Sequence, residues 1–207
     1  GDNSKGQLGD GTFTSANIPV QVLANKESRA PLTNIIQLAT GVYSFESYFL
    51  KSEGGVNSLY RCGTNDIMST SVTVPENVFI SKMAKKISSA GGTCLCLMDD
   101  KTVMAIGNNM YGHFGNGTTN SSATAIPIST LNNISDIASG ATYSFFVKTD
   151  KTVLAAGKNS FGELGNGTSV QQKNPVQVLK GSTGSILQKT NQIAAGVYHS
   201  LFLDDDG

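Results

Sequence analysis

Two histidines, three cysteines, an aspartate run and a glycine-rich segment used three times are the residues of this 207-residue chain whose types and spacing suggest chemistry. A hydrolytic site needs a nucleophile beside a base, and a histidine base needs a carboxylate to orient it. His113 and His199 each stand in a repeated segment without a suitable carboxylate nearby in sequence, so no catalytic set can be assembled. Cys94 and Cys96 share one face of a strand at a Cα separation of about 7 Å, a poor geometry for a disulfide. With Cys62 they read as small buried hydrophobes, not as a metal or redox centre. Asp204, Asp205 and Asp206 tempt toward calcium but occupy a turn where an equivalent segment has "KTDK", which makes a solvated turn the better reading. Asn-x-Ser/Thr triplets begin at Asn116, Asn120, Asn133 and Asn166 and matter only in a eukaryotic secretory setting.

The glycine-rich segment is "GDNSKGQLGDGT" at residue 1, "GNNMYGHFGNGT" at 107 and "GKNSFGELGNGT" at 157. A phosphate-binding loop would carry Lys-Ser/Thr after the glycines and open a helix whose N-terminus faces the anion; neither follows here. The Gly-Asn-Gly-Thr end instead supplies positive φ angles for tight turns. The central apolar residue, Leu8, Phe114 or Leu164, is expected to tuck against a sheet as an anchor.

Composition bounds the partners. Fifteen basic and fifteen acidic residues give zero formal charge, and 14% of residues are charged. Nucleic acid and anionic membrane are not expected, because both select a basic surface. No apolar run reaches the length of a membrane span. The chain starts without Met or a leader, so a soluble, processed form or an excerpt is expected. A chain this long can bury roughly 70% of its unfolded surface, enough for one self-standing domain.

The elements follow from an internal repeat. Gly41, Gly91, Gly140 and Gly196 sit in similar small-residue segments spaced by 50, 49 and 56 residues, so four units of about fifty residues cover the chain. Each unit holds short β-branched runs bounded by Gly, Asn, Asp or Pro, here lettered A to D. Strands are predicted at 35–40, 47–51, 57–62, 85–90, 94–99, 102–106, 134–139, 144–149, 152–156, 175–179, 192–195 and 199–203. Only 76–87, "ENVFISKMAKKI", offers an amphipathic helix as an alternative. Four-stranded units at this period describe an all-β fold, a β-propeller built of four-stranded blades. WD-type units are shorter and carry Trp, which is absent; Kelch units expect a Gly-Gly pair that only Gly91-Gly92 supplies.

The fourth unit, "AAGVYHSLFLDDDG", and the opening "GDNSKGQLGDGT" resemble the regulator of chromosome condensation repeat, an RCC-type family. The resemblance covers all four units and implies a propeller, either a single domain over 1–207 or a four-unit portion of a larger one. The family closes seven blades, and joining residue 207 to residue 1 would leave one strand missing. An excerpt of a longer propeller is favoured over a ring completed by another copy. The first unit carries a two-residue insertion after its glycine, the repeat's His column reads Cys94, Tyr143 and His199 in the later units, and 63–75 has lost the glycine loop.

With no catalytic set, cofactor or metal site expected, the propeller is read as a noncatalytic protein-binding scaffold whose loops on one face grip another protein. The alternative is a regulator of an enzyme, since the family includes an exchange factor for a small GTPase and an inhibitor of β-lactamase. Neutral charge and abundant Asn, Ser and Thr suggest an extracytoplasmic bacterial protein, secreted or at the cell surface. Length variation concentrates on the end bearing the B-C and D-A connections, notably 23–34, 180–191 and the turn "KSEGGVN". Lys26, Glu27, Arg29, Lys51, Glu53, Lys180 and Lys189 are therefore the candidate partner-binding residues, with another protein as the partner.

Overall fold

The computed structural model describes residues 1–64, 67, 70–181 and 184–205. Three four-stranded antiparallel meanders follow one another along the chain. Blade 1 is β1 (Ile35–Ala39), β2 (Glu46–Glu53), β3 (Val56–Gly63) and β4 (Val72–Val78). Blade 2 is β5 (Ala84–Ala90), β6 (Thr93–Met98), β7 (Val103–Gly107) and β8 (Ser122–Pro127). Blade 3 is β9 (Ile134–Ser139), β10 (Tyr143–Lys148), β11 (Val153–Gly157) and β12 (Gln172–Gln177). A small hairpin, β13 (Leu179–Lys180) with β14 (Ser185–Ile186), leads to the two strands of blade 4, β15 (Thr190–Ala195) and β16 (Ser200–Asp204).

The core lies between blades, as period-two side-chain alternation requires. On β6, Cys94, Cys96 and Met98 pack toward blade 1 with Tyr48, Leu50 and Leu59, while Leu95 and Leu97 pack toward blade 3 with Ile137 and Phe146. Blade 3 repeats the device: Phe145 turns to blade 4 and meets Phe202 edge-to-face at 5.0 Å. The innermost strands, β1, β5, β9 and β15, touch in succession. They are also stitched by side chains, Gln37 bonding both the carbonyl and the amide of Ile87, and Ser88 Oγ accepting the amide of Ser139.

The all-β, four-stranded-blade reading stands, and every predicted strand has a counterpart. The helical alternative over 76–87 is wrong: β4 ends at Val78, a connection runs to 83, and β5 starts at Ala84. Its apolar positions serve two strands pointing into one interblade core, where Val78, Ala84 and Ile87 meet. The D strand predicted at 175–179 lies at Gln172–Gln177. The His column is also shifted. Pairing with β7 and β11 makes Thr93, not Cys94, the equivalent of Tyr143, because Thr93 faces Gly107 as Tyr143 faces Gly157. Glu46 faces Gly63 and fills the slot in blade 1, two residues later after Gly41 than Tyr143 is after Gly140, as the insertion predicts.

Candidate interaction surfaces

Each glycine-rich loop is built around one buried asparagine. Asn159 Oδ1 accepts the Leu164 amide at 2.9 Å, while its Nδ2 donates to the carbonyls of Thr168 and Val170 and to Asn166 Oδ1. Asn109 does the same with Phe114, Thr118, Asn120 and Asn116. Asn3 repeats it with Leu8, Thr12, Thr14 and Asp10. All three asparagines have no exposed surface. The anchors Phe114 and Leu164 are likewise fully buried, whereas Leu8 is half-buried.

These loops cross from one blade to the next. Gly117 donates its amide to Lys173 O, and a Cβ at Gly115 would lie 3.2 Å from Pro175 and 3.4 Å from Ala156, so the loop leaving blade 2 lies on blade 3. Ser200 Oγ bonds Glu163 O from blade 4, and Ser47 Oγ bonds Gln7 O from blade 1. Backbone amide and carbonyl groups of the loops are thus used in holding neighbouring blades together. The counterpart segment in blade 1 is shorter, linking β3 to β4 over 64–71; residues 65, 66, 68 and 69 lie outside the described residues.

Neither histidine is placed for catalysis. His113 is 1% exposed; its Nε2 lies 2.6 Å from Thr93 Oγ1, whose hydroxyl donates to Asn108 O. Nδ1 has no partner, and burial lowers the imidazole pKa to about 4. His199 is exposed, with its ring against Gly196, where a Cβ would come within 2.8 Å of it. Tyr143 and Gly140 repeat this arrangement. The Tyr143 hydroxyl reaches across to blade 4, 2.6 Å from His199 O and 2.9 Å from Gly196 O. All three cysteines are buried and free. Among the described residues no group of three His, Cys, Asp or Glu side chains is disposed to hold a metal. Asp204 pairs with Lys180 and Asp205 with Lys151; Asp206 lies outside the described residues.

The candidate binding residues fall into two groups at one end of the blades. Lys26, Glu27 and Arg29 are exposed in a turn closed by the Leu23–Pro31 bridge, and Arg29 holds a positive φ of 50°. Lys51 and Glu53 belong to the same blade, where Asn34 O accepts the Ser52 amide; Lys51 is paired with Glu53 at 2.8 Å. Lys180 and Lys189 lie at blade 4, Lys180 paired with Asp204 and Lys189 O accepting the Asp205 amide. The two long connections are copies of one hairpin. Leu23 and Leu179 each donate an amide to a loop glycine, Gly9 or Gly165, and Leu32 and Leu187 close back on Val22 and Val178.

The opposite end, formed by the A-B turns and C-D loops, carries exposed aromatics that sequence reasoning passed over. Phe161 and Tyr198 stack edge-to-face at 5.2 Å between blades 3 and 4, and Lys158 Nζ stands 5.5 Å above the Tyr111 ring. The signal was present as the variable residue before the loop's first Gly-x-Leu/Phe-Gly, Lys5, Tyr111 or Phe161.

Residues 150–203 match the sequence profile of the Regulator of chromosome condensation (RCC1) repeat. No curated protein sequence matches the chain. Over 99% of its length the fold is similar to that of human WBSCR16, with a TM-score of 0.80 and 22% identity, covering 52% of that chain. It is also similar to Prp20p from Saccharomyces cerevisiae over 97% of its length, with a TM-score of 0.72, 16% identity and 51% of that chain covered. A third likeness, to the receptor kinase CR4 ectodomain from Physcomitrella patens, has a TM-score of 0.53 at 19% identity, covering 86% of this chain and 40% of that one. The chain spans about half the length of these structures.

Proposed function

We propose, on the premise that this chain is built of RCC1-type propeller blades, that it is a noncatalytic scaffold that binds another protein through its B-C and D-A connections. The observation carrying this reading is the hairpin raised twice at that end, at 23–32 and 179–187, where the connections at 79–83 and 128–133 are short. Unit-specific excursions from a repeated frame are where repeat proteins build partner specificity. Proteins of this architecture serve as precedent: one solved structure has Kap60 bound to yeast RCC1 (Prp20), and that of Prp20p is described with its binding to Gsp1p and histones. Regulation of a bound enzyme would use the same surface, so it is a consequence of the partner's identity and needs no further site here.

The test is capture of partners from the native organism on the parent chain and on K26E/R29E/K51E, with mass spectrometry of what is retained. The expected result is a partner lost by the triple variant, with an association rate that falls in salt, as rim charges dictate. Equal capture by both chains would show that this end is not the binding surface.

A further inference from the structure

We propose that the A-B turns of blades 2, 3 and 4, with the C-D loops of blades 2 and 3, form a second docking surface, for an acidic polypeptide segment carrying apolar side chains. The inference concerns the end opposite the hairpins and stands independently of them.

Charge is distributed unevenly between the ends. Among the described residues, seven ion pairs are formed; six lie toward the B-C and D-A end and the seventh, Arg61–Glu76, lies between strands β3 and β4. None joins residues of the A-B turns or C-D loops. In those segments of blades 2 to 4 the sole carboxylate is Glu163. It is 2% exposed and its Oε2 accepts the Phe161 amide at 2.8 Å, so its oxygens are closed to contact from solvent. Lys158 and Lys173 are left without an ion pair, Lys173 exposed at the start of β12 beside the loop at Gly112.

Apolar surface lies beside these cations. Phe161 is 70% exposed and Tyr198 55%, and their edge-to-face contact across two blades fixes both rings before any partner arrives. Tyr111 is held in turn by Lys158 from the next loop, and Met110 beside it is 57% exposed. Rigid aromatics with few rotatable bonds lose little entropy on contact, which is why they anchor protein interfaces. Two unpaired lysines flanking them select carboxylates over cations in the partner. A nucleic acid fits less well, because phosphodiester binding draws on many cations at once and this surface has no arginine and a neutral chain behind it.

The experiment titrates the full chain, isotope-labelled, with a short synthetic peptide alternating Glu with Phe and Leu, and follows backbone amide shifts. The controls are the same peptide with Lys replacing Glu, and a single-stranded oligonucleotide. The expected result is saturable binding of the acidic peptide that moves the amides of Lys158, Phe161, Lys173 and Tyr198 and weakens in salt. F161A/Y198A and K158E/K173E should each weaken it at least about tenfold, the loss expected for anchor residues. Phe161, Lys173 and Tyr198 are exposed and Lys158 is half-buried, so both variants should stay folded, with melting temperatures within about 4 °C of the parent. K26E/R29E/K51E should bind the peptide as the parent does, which separates this surface from the hairpin end. Absence of binding, equal binding of the lysine peptide, preference for the oligonucleotide, or shifts confined to the hairpin end would overturn the proposal.

Discussion

Asn159 holds Leu164 by its backbone: the asparagine carbonyl oxygen accepts the leucine amide at 2.9 Å, and the leucine side chain this positions is fully buried between blades 3 and 4. Leu164→Ala should therefore cost about 2–4 kcal/mol, the range for emptying a core site. Asn159→Ala removes the partner of several buried backbone groups and should cost about 1–3 kcal/mol despite leaving the apolar contacts in place. Urea unfolding of both variants is the measurement. A change within about 0.5 kcal/mol for Leu164→Ala, the range of ordinary surface substitutions, would place that loop outside the core.

How such a loop could be read in advance shows what the sequence makes visible. The glycine spacing, the blade count and the anchors Phe114 and Leu164 were legible because they recur at fixed offsets. The asparagine's role was not, because its partners, Thr168 O and Val170 O, are backbone groups that leave no mark on composition. β4, "VTVPENV", is β-branched but carries Pro75 at its centre, which argues against a strand, and β8 went unread for another reason. β8 is "SATAIP", an outer strand with exposed positions and little β-branched content, so it lacks the pattern that betrays a core strand. The column shift from Cys94 to Thr93 could be seen only in the strand register, since the Gly91-Gly92 turn is one residue tighter than Gly140-Ala141-Thr142. At the candidate surfaces, sequence located the charged hairpins through their length but missed Phe161 and Tyr198, whose contact joins positions 37 residues apart.

Acid should weaken the fold in two separate windows. Burial holds His113 neutral with a pKa near 4, below the 6.5 of a free imidazole, so the unfolded chain binds the extra proton first. The stabilisation is complete above about pH 6.5 and is lost as pH falls through about 4, a loss of up to roughly 3 kcal/mol. His113→Gln should flatten the profile between those values. Asp100 and Asp150, each held near 2 by side-chain hydrogen bonds from Lys82 or Thr152, contribute only below pH 4. Stability measured by denaturant titration from pH 3 to 8 separates the two. An unchanged slope between pH 4 and 6.5 in the variant would assign that window elsewhere.

Tyr143→Phe should loosen blade 4 more than blade 3. Its hydroxyl is the polar link from β10 to the Gly196–His199 turn; its loss strips that donor from Gly196 O, while His199 O keeps the Gly196 amide. Global stability should drop by about 1 kcal/mol. Amide exchange should quicken first in β15 and β16. Uniform quickening across all four blades would show that the bond has no local role.

The three thiols should be inert in the folded chain. Burial pushes Cys62 up to about 12 and raises Cys94 well above an ordinary thiol, so almost no thiolate of either exists at neutral pH, and Cys96 is fully buried beyond a reagent's reach. An aromatic disulfide reagent should react with none of them until denaturant is added, and then with all. Rapid labelling of Cys62 in the native state would mean that the loop bearing Gln7, whose carbonyl lies 3.3 Å from its sulfur, opens readily.

The loops that pass from one blade onto the next also give the array a direction. Blade 3 is sealed by a segment that belongs, in sequence, to blade 2, and blade 4 by one from blade 3. Unfolding blade 2 or blade 3 therefore withdraws the cover from its C-terminal neighbour, while its N-terminal neighbour keeps its own. In a nearest-neighbour description the coupling at each interface is asymmetric in consequence, and melting started at one blade should run preferentially toward the higher residue numbers. The unit that folds is accordingly offset from the unit that repeats: it begins at a glycine loop such as Gly107 and closes with the four strands of the following blade, and excisions made at strand boundaries would divide it.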